Sequence, residues 1–304
     1  MGRYVLRRVV LIIPVLFGVS LFTFLMIHLV PGDPVRVMMG TSGSAEDAER
    51  IRNELGLNDP LHQQFIRYIG HVLQGDFGNS IRSGQPVLRE ISERLPSTLE
   101  LTGVAMATAV VVGLTLGVAA AASGPRADAS IMAFALLGIS MPYFWSGILL
   151  ILLFGLKLDW FPIAGTGPMA LVLPTITLAM PASAVLARMT RSSMLEVLNQ
   201  DFVRTARAKG LRERVVVIRH VLKNALIPVV TIIGLQAGTL LAGAVIVESV
   251  FSRPGLGRYT VTAIQARDFP QVQGIVLVSA AVYVFVNLTV DLLYAFIDPR
   301  IRYQ

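Results

Sequence analysis

Long uncharged stretches alternate with short charged ones along almost the whole chain. Six uncharged runs occur, at Val9–Val30, Leu101–Ala122, Ala129–Leu156, Trp160–Ala187, Asn224–Val247 and Phe269–Val290. Each run reaches the roughly 20 residues that a helix needs to cross the hydrocarbon core of a bilayer. Because no water is available there to bond the backbone, each run is predicted to be a transmembrane helix.

The composition agrees with this pattern. Hydrophobic residues make up 54% of the 304 residues, charged residues 15%, and the mean hydropathy is +0.67. A soluble domain has about 25% charged residues, so a soluble fold, a disordered chain and a coiled coil are excluded. The absence of cysteine rules out disulfides, thiolate metal sites and a cysteine nucleophile. The predicted fold class is an all-α polytopic membrane protein with six transmembrane helices.

The cations indicate how these helices are oriented. They precede the first run, lie in the connection between the second and third, follow the last, and are densest in the fourth–fifth connection, where nine fall within residues 188–223. The positive-inside rule therefore predicts that the N and C termini are both cytoplasmic. No lysine follows a glycine, so the phosphate-binding pattern G-x-x-x-x-G-K is missing. If the protein uses ATP, another chain must bind it.

These rules give a complete set of predicted boundaries. The transmembrane helices are placed at 9–30, 98–122, 129–156, 170–192, 224–248 and 271–297. Cytoplasmic segments are placed at 1–8, 123–128, 193–223 and 298–304, and external segments at 31–97, 157–169 and 249–270. The first run is interpreted as an uncleaved anchor, because it is too long for the apolar part of a signal peptide.

The external segment 31–97 is the one outer segment long enough to fold. Leu61, Phe65, Tyr68 and Val72 recur at helical spacing, and Ser44 with Asp47 could begin an earlier helix. A small helical external segment is therefore expected after the first helix. It is either a solvated connection or a docking surface for a substrate-delivery protein, and the residues alone favour the connection.

The cytoplasmic segment 193–223 has more internal order. Leu198, Phe202 and Ala206 follow one face of a predicted helix, and Gly210 is placed to end it. The sequence then becomes apolar again on its way to the fifth span. One interpretation is ordinary positive-inside charge close to anionic lipid. The other is a helix that takes force from a partner, and charge alone favours the first.

Motifs spread over nearly the whole chain resemble those of a known transport family. They are Pro31–Pro34, Leu55–Leu57, Gly75–Gly78 with Ser80, Thr98–Leu101, Ser140–Pro142, Arg188–Arg191, Asp201–Gly210, Asn224–Pro228, Pro254–Gly257, Arg267–Pro270 and Asp298–Arg300. In order and spacing they resemble the ATP-binding-cassette (ABC) import permeases of the dipeptide/oligopeptide/nickel group, B-type subunit. The resemblance places a type-1 permease domain at 94–297. The wider family's Glu-Ala-Ala-x-x-x-Gly signature is only half kept, because Arg204 and Thr205 replace its first two residues.

The resemblance implies a function, a set of partners and a coupling site. The chain would translocate short peptides across the bacterial inner membrane, with glutathione one candidate substrate. It would pair with a second homologous permease, two ATPase subunits carrying ATP and Mg²⁺, and an extracytoplasmic binding protein. It would hold no cofactor, metal or catalytic residue of its own, and no nucleic-acid partner is expected. The implied contacts to the ATPase are Leu198, Asp201, Phe202, Arg204, Thr205, Ala206, Arg207, Lys209, Gly210 and Leu211.

Polar residues within or near the spans have either a structural or a functional role. Asn287 and Asp291 are four residues apart, so they share a helix face and either contact another helix or line the pathway. Glu100 and Glu248 fall near outer span ends and are interpreted as structural. The four histidines are scattered, which gives a nickel site in this chain no support.

Other functions remain as alternatives to peptide import. A permease for nickel or another metal chelate would carry the same motifs. An ATP-independent secondary transporter would need inverted repeats and buried charges at mid-bilayer, and neither is evident. A membrane enzyme would need a paired acid and base or a metal cluster, which the sequence does not display.

Overall fold

The computed structural model describes residues 2–29, 35, 46, 49, 52 and 58–297, and their side chains except those of 2–7, 9, 27, 28 and 291–297. Ten longer helices are found in this part, and an isolated bridge between Asn79 and Pro86 is its one extended pairing. The helices are α1 Gly2–Leu29, α2 Leu61–Leu73, α3 Val87–Ala122, α4 Pro125–Ser140, α5 Tyr143–Lys157, α6 Pro168–Leu198, α7 Asp201–Ala208, α8 Glu213–Val250, α9 Leu256–Gln265 and α10 Phe269–Ile297.

Several of these helices are long and apolar enough to cross a membrane. Four qualify alone, namely α3, α6, α8 and α10, and a fifth span results if α4 and α5 are counted together. Helix α1 contributes a shorter apolar stretch, Val10–Met26. The prediction of an all-helical protein with several membrane-spanning helices is therefore confirmed. The count of six, the placement of both termini and the predicted span boundaries stay predictions.

A sharp bend divides the third predicted span. Helices α4 and α5 meet at 105°, with Met141 and Pro142 between them. Pro142 has no N–H to donate to the preceding turn, and the residue before a proline is forced out of the helical region. Met141 is accordingly extended, with ψ of 125°. The helix therefore breaks at Pro142, whereas Pro174 and Pro181 lie within the continuous helix α6.

The described residues form two compact units, the first made of Ser97–Gly257 and the described residues from Val286 onwards. Helix α6 is the centre of this unit and packs against α4, α5 and α8. Its apolar stretch is two-thirds buried, and Leu173, Leu178 and Leu186 are completely enclosed. Neighbours on several sides keep α6 in place despite its two internal prolines.

Small residues let α3 approach α6 closely in the first unit. A Cβ added to Gly113 would lie 2.6 Å from the Cβ of Leu186. One added to Gly117 would lie 2.5 Å from the Cβ of Thr190 and 2.6 Å from the carbonyl oxygen of Ala187. Side chains cannot approach backbone at such distances, so the helices touch through these glycines. The G-x-x-x-G spacing of Gly113 and Gly117 thus forms a helix contact face.

A single methyl group on this face is therefore expected to destabilise the protein. We expect Gly117→Ala to reduce the free energy of unfolding by about 1–3 kcal/mol, since an overpacked core shifts backbone and side chains. Gly103→Ala on the same helix is the matched control, because its Cβ would meet no atom within 4 Å. Thermal unfolding in detergent should show a lower Tm for Gly117→Ala only. Equal Tm values for the two variants would show that α3 and α6 are not in contact at Gly117.

The second unit comprises the described residues of Gly2–Pro96 together with Arg258–Phe285. Helix α2 packs against α1 through aromatic rings, with the Phe65 centroid 5.7 Å from that of Phe17 and 5.3 Å from that of Phe24. The Tyr68 hydroxyl lies 3.1 Å from the Thr23 hydroxyl. The helix predicted from the spacing of Leu61 to Val72 is thus confirmed. The helix start predicted at Ser44 and Asp47 lies outside the described residues.

A buried polar network also belongs to the second unit. Ser80 donates to Asp268 over 2.6 Å, which joins two of the motifs singled out in the sequence. Nearby, Glu90 accepts hydrogen bonds from the Tyr259 hydroxyl and, over 2.8 Å, from the Gln271 amide. Burial raises the pKa of Tyr259, and the neighbouring carboxylate raises it further. The phenol therefore stays protonated and keeps donating to Glu90.

Candidate functional site: the inner helical hairpin

The predicted cytoplasmic segment folds into a short helix held between two long ones. Helix α6 ends at Leu198, α7 follows at Asp201–Ala208, and α8 begins at Glu213. We call residues 198–222 the inner hairpin. Asp201 lies in the first turn of α7, where a negative charge interacts favourably with the helix dipole. The hairpin therefore follows directly from α6 and leads directly into α8.

Gly210 ends α7 as its position in the sequence predicts. Its φ is +75°, in the left-handed region that glycine enters without steric cost. The Gly210 N–H donates to the Arg207 carbonyl oxygen over 2.9 Å, and the Lys209 N–H donates to that of Thr205 over 3.1 Å. These bonds satisfy carbonyls that the helix end would leave free. The chain can then reverse within four residues.

One face of α7 is buried inside the chain itself. Val203 is 0% exposed and Ala206 is 7% exposed. They join a hydrophobic cluster with Met194, Val197, Val216, Val221 and Ala225. The cluster contains residues from α6, α7 and α8, so α7 is anchored to both long helices.

One residue of the predicted contact set is buried within the chain. Ala206 lies three residues after Val203 and four after Phe202, at the edge of the buried strip of α7, and is 7% exposed. Its role as a contact to the ATPase stays a prediction. Leu198 is half-buried against the same cluster. Val203 was missed, although its spacing from Ala206 could have identified it.

The α7 residues outside this buried strip are exposed, and this open face carries both apolar and charged groups. Phe202 is 38% exposed, and Leu211 just beyond the turn is similarly exposed. The exposed polar members of the predicted set are Asp201, Arg204, Thr205, Arg207 and Lys209. Arg204 and Asp201 approach to 3.6 Å, a solvated pair that adds little stability. An exposed aromatic ring among cations is typical of protein interfaces.

Arg207 ties α7 to the start of α8. Its Nη2 and Nε donate to the two carboxylate oxygens of Glu213 over 2.6 and 3.1 Å. This two-pronged ion pair spans the glycine turn. The arginine holds the pKa of Glu213 below its usual range. The main observed role of Arg207 is therefore to hold the two arms of the hairpin together.

The same ion pair makes the hairpin sensitive to acid. Because the folded pKa of Glu213 is lowered, its stabilising effect is present above the usual glutamate pKa and is lost as the pH falls through the lowered value. We expect hydrogen exchange of the α7 amides in detergent to accelerate between about pH 5 and about pH 3, after correction for intrinsic rates. Glu213→Gln should remove this acceleration. An identical pH response in the variant would show that another group is responsible.

The first turns of helix α8, which pack against α7, depart from α-helical geometry. Residues Val216–Leu222 form a π-helical segment, and α7 packs against it. Such segments are rare and occur often at functional sites. The wide turn places Val216 and Val221 in the same buried cluster. Movement of α7 would therefore act on the first turns of α8.

A second constellation in the first unit was not recognised as a group from the sequence. Glu248 is 0% exposed and accepts from the Thr98 hydroxyl over 2.6 Å and from the Gly257 N–H over 2.7 Å. The Leu256 N–H donates to the Thr98 hydroxyl over 2.8 Å. We call Thr98, Glu248, Leu256 and Gly257 the Glu248 cluster. It joins the Thr98–Leu101 and Pro254–Gly257 motifs and so gives both a structural role.

Arg253 lies in the same turn and pairs with Glu100. The arginine side chain is only 4% exposed, whereas that of Glu100 is 55% exposed. Gly255 has no side chain to displace the Glu248 carboxylate, with which a Cβ there would collide. The structural interpretation of Glu100 and Glu248 is supported by these bonds.

The two polar residues of the last span are less informative. Asn287 is half-buried on α10, and the side chain of Asp291 lies outside the described part of the chain. A Cβ on Gly234 would collide with Val290, so α8 and α10 are neighbours close to Asn287. The choice between a helix contact and a pathway-lining role remains a prediction.

The fold and the hairpin together define a multi-pass membrane protein with a short helix displayed between two spans. Family models match both parts of the chain. Residues 113–303 match the binding-protein-dependent transport system inner membrane component, and residues 1–102 match the N-terminal part of such membrane components. The chain belongs to this family, as the motifs of the sequence had indicated.

Relatives with similar sequences span its full length. The chain is 47% identical to the glutathione transport system permease protein GsiC of Salmonella paratyphi A and 45% identical to that of Escherichia coli K12, with 100% of each chain covered. Both are permease proteins, and this chain is likewise a transport subunit of the bacterial inner membrane, not an enzyme.

Solved structures share the fold. The MetNI methionine ABC transporter in an inward-facing conformation matches with a TM-score of 0.59 and 19% identity, over 69% of this chain and 96% of that one. An amino acid ABC transporter matches with a TM-score of 0.52 and 20% identity, over 70% and 94%. The ABC permease fold is therefore present. A permease of this class operates together with ATPase and other subunits.

Proposed function

We propose that this chain is one of two permease subunits of an ABC importer for short peptides, with glutathione as the leading candidate. The observation that carries the substrate class is the full-length similarity to glutathione permeases at 45–47% identity. Dipeptides and oligopeptides remain candidates because they share the peptide backbone that such a pathway must pass. A nickel or metal-chelate permease of the same family is the alternative.

The proposed topology has six spans with both termini in the cytoplasm. Helix α1 provides the first span, α3 the second, the bent pair α4–α5 the third, and α6, α8 and α10 the last three. The distribution of cations supports this orientation, since nine lie in or beside the inner hairpin. The inner hairpin is then cytoplasmic.

Energy is proposed to enter through α7. Its open face would dock into a groove on an ATPase subunit, with Phe202 and Leu211 in apolar contact and Arg204 and Lys209 setting the orientation. Val203 and Ala206 anchor α7 to α6 and α8. Because of this anchoring, a shift of α7 would be passed to both spans and to the π-helical start of α8.

The proposed assembly contains a second homologous permease, two ATPase subunits and an extracytoplasmic binding protein. ATP and Mg²⁺ would bind the ATPase subunits, and no cofactor is assigned to this chain. ATP-driven closure of the ATPases would rock the two permeases between inward- and outward-open states. Selectivity is assigned mainly to the binding protein.

Reconstitution in proteoliposomes tests this function. The chain, its permease partner, both ATPases and the binding protein should support ATP-dependent uptake of radiolabelled glutathione. Competition with a dipeptide and with a nickel chelate ranks the substrate classes. Uptake of the nickel chelate alone would favour the alternative substrate. Undiminished uptake in vesicles without ATPase subunits would contradict the ABC mechanism and show that the chain is a secondary transporter.

A further inference from the structure

A groove of about 430 Å³ runs between α4 and α6 in the first unit. Its walls are apolar along most of their length and include Met132, Ala135, Leu136, Ile139 and Ala184. Three charged side chains, Asp128, Arg188 and Arg191, line the same groove. The groove thus has a long apolar part and one charged end, formed by Asp128, Arg188 and Arg191.

The charges at this end do not cancel. Arg191 forms a two-pronged ion pair with Asp128, which joins α6 to α4 and leaves no net charge from these two residues. Arg188, almost one turn earlier on α6, is exposed, and within the described part of the chain no salt bridge to it is found. The groove therefore presents one uncompensated guanidinium beside an apolar trough.

We propose that this groove binds an anionic phospholipid, whose phosphate lies on Arg188 and whose acyl chain lies along Ala135, Leu136 and Ile139. A peptide would bury unpaired amides against these walls, whereas an acyl chain would not. Basic pockets between membrane helices are suited to anionic head groups.

The dimensions agree with this occupant. Asp128 and Ile139 are eleven residues apart on one helix, which corresponds to about 17 Å at 1.5 Å per residue. Half of the roughly 30 Å hydrocarbon core is about 15 Å, the depth that one acyl chain spans. Arg188 also lies on the segment of α6 that leads into the inner hairpin, so under the proposed topology the head group is in the cytoplasmic leaflet. The binding itself does not depend on what the protein transports.

Native mass spectrometry of the full-length protein from phosphatidylglycerol-containing detergent tests the proposal. Wild type should retain phosphatidylglycerol in preference to phosphatidylcholine. We expect Arg188→Gln to reduce the phosphatidylglycerol-bound fraction at least about fivefold and Arg188→Lys to restore most of it. Arg214→Gln, a cation on the inner hairpin away from the groove, should bind as wild type does.

A second pair of variants tests the apolar part without changing any charge. Leu136→Trp would fill the groove, whereas Leu137→Trp changes an equally exposed neighbour that is not among its lining residues. Only Leu136→Trp should lose the bound lipid, and equal Tm values should show that both variants fold. Unchanged lipid binding in Arg188→Gln and Leu136→Trp would overturn the proposal. So would a cross-link from Leu136→Cys to the second permease in place of a photoreactive phosphatidylglycerol, since the groove would then be a subunit interface.

Discussion

Phe202→Asp is expected to abolish most ATP-dependent uptake while leaving the protein folded in the membrane. The ring is 38% exposed on the open face of α7 and contributes nothing to the buried cluster that anchors the helix. Truncating an aromatic interface anchor typically costs about 2 kcal/mol or more, so uptake should fall at least about tenfold. Uptake by the reconstituted importer is the measurement, with the amount of inserted protein determined in parallel.

Two further variants separate coupling from folding. Phe202→Leu keeps an apolar contact and should retain most of the uptake. Val203→Asp, one residue on, places a carboxylate in a fully enclosed position and should instead lower the Tm and the yield of folded protein. Normal uptake in Phe202→Asp would show that the open face of α7 does not transmit energy.

Glu248→Ala is expected to cause the largest loss of stability. The substitution removes the acceptor of the buried Thr98 hydroxyl and of the Gly257 N–H. Each buried donor left without an acceptor costs about 1–3 kcal/mol, and the lost volume adds to this. The free energy of unfolding should therefore fall by about 3 kcal/mol or more, measured as a drop in Tm or in the midpoint of denaturant unfolding.

Neighbouring variants make this result specific. Glu248→Gln retains one acceptor oxygen and should be intermediate in stability. Ser249→Ala, on the exposed side of the same helix, should unfold as wild type does. A Tm for Glu248→Ala within about 1 °C of wild type would mean that the cluster carries little of the stability.

Much of the fold could be predicted because the bilayer restricts what a chain can form. An uncharged run of about 20 residues can cross the bilayer only as a helix. The runs that form α3, α6, α8 and α10 were recognised for this reason. The break at Pro142 was also predictable, since it follows from the chemistry of one residue. Pro181 has the same chemistry but sits in the most enclosed helix, where packing prevails over local preference.

The candidate site was predictable in its position but not in its orientation. Gly210 and the amphipathic pattern located α7 correctly. The inward face of α7 is set by contacts with Val216, Val221 and Ala225. These residues lie on α8, so the hydrophobic pattern of α7 alone does not report them. The burial of Ala206 follows from these contacts. The Glu248 cluster joins residues 150 positions apart, and no periodicity in the sequence reports such a pairing.

Cysteine cross-linking shows directly whether α7 contacts an ATPase subunit, because the chain contains no cysteine of its own to interfere. Phe202→Cys and Val203→Cys, each in the assembled transporter, differ by one position and by the face of the helix they occupy. We expect an efficient cross-link to an ATPase subunit from Phe202→Cys and none from Val203→Cys. Labelling of Phe202→Cys by a membrane-impermeant thiol reagent added outside intact cells, with no cross-link to an ATPase, would contradict this expectation.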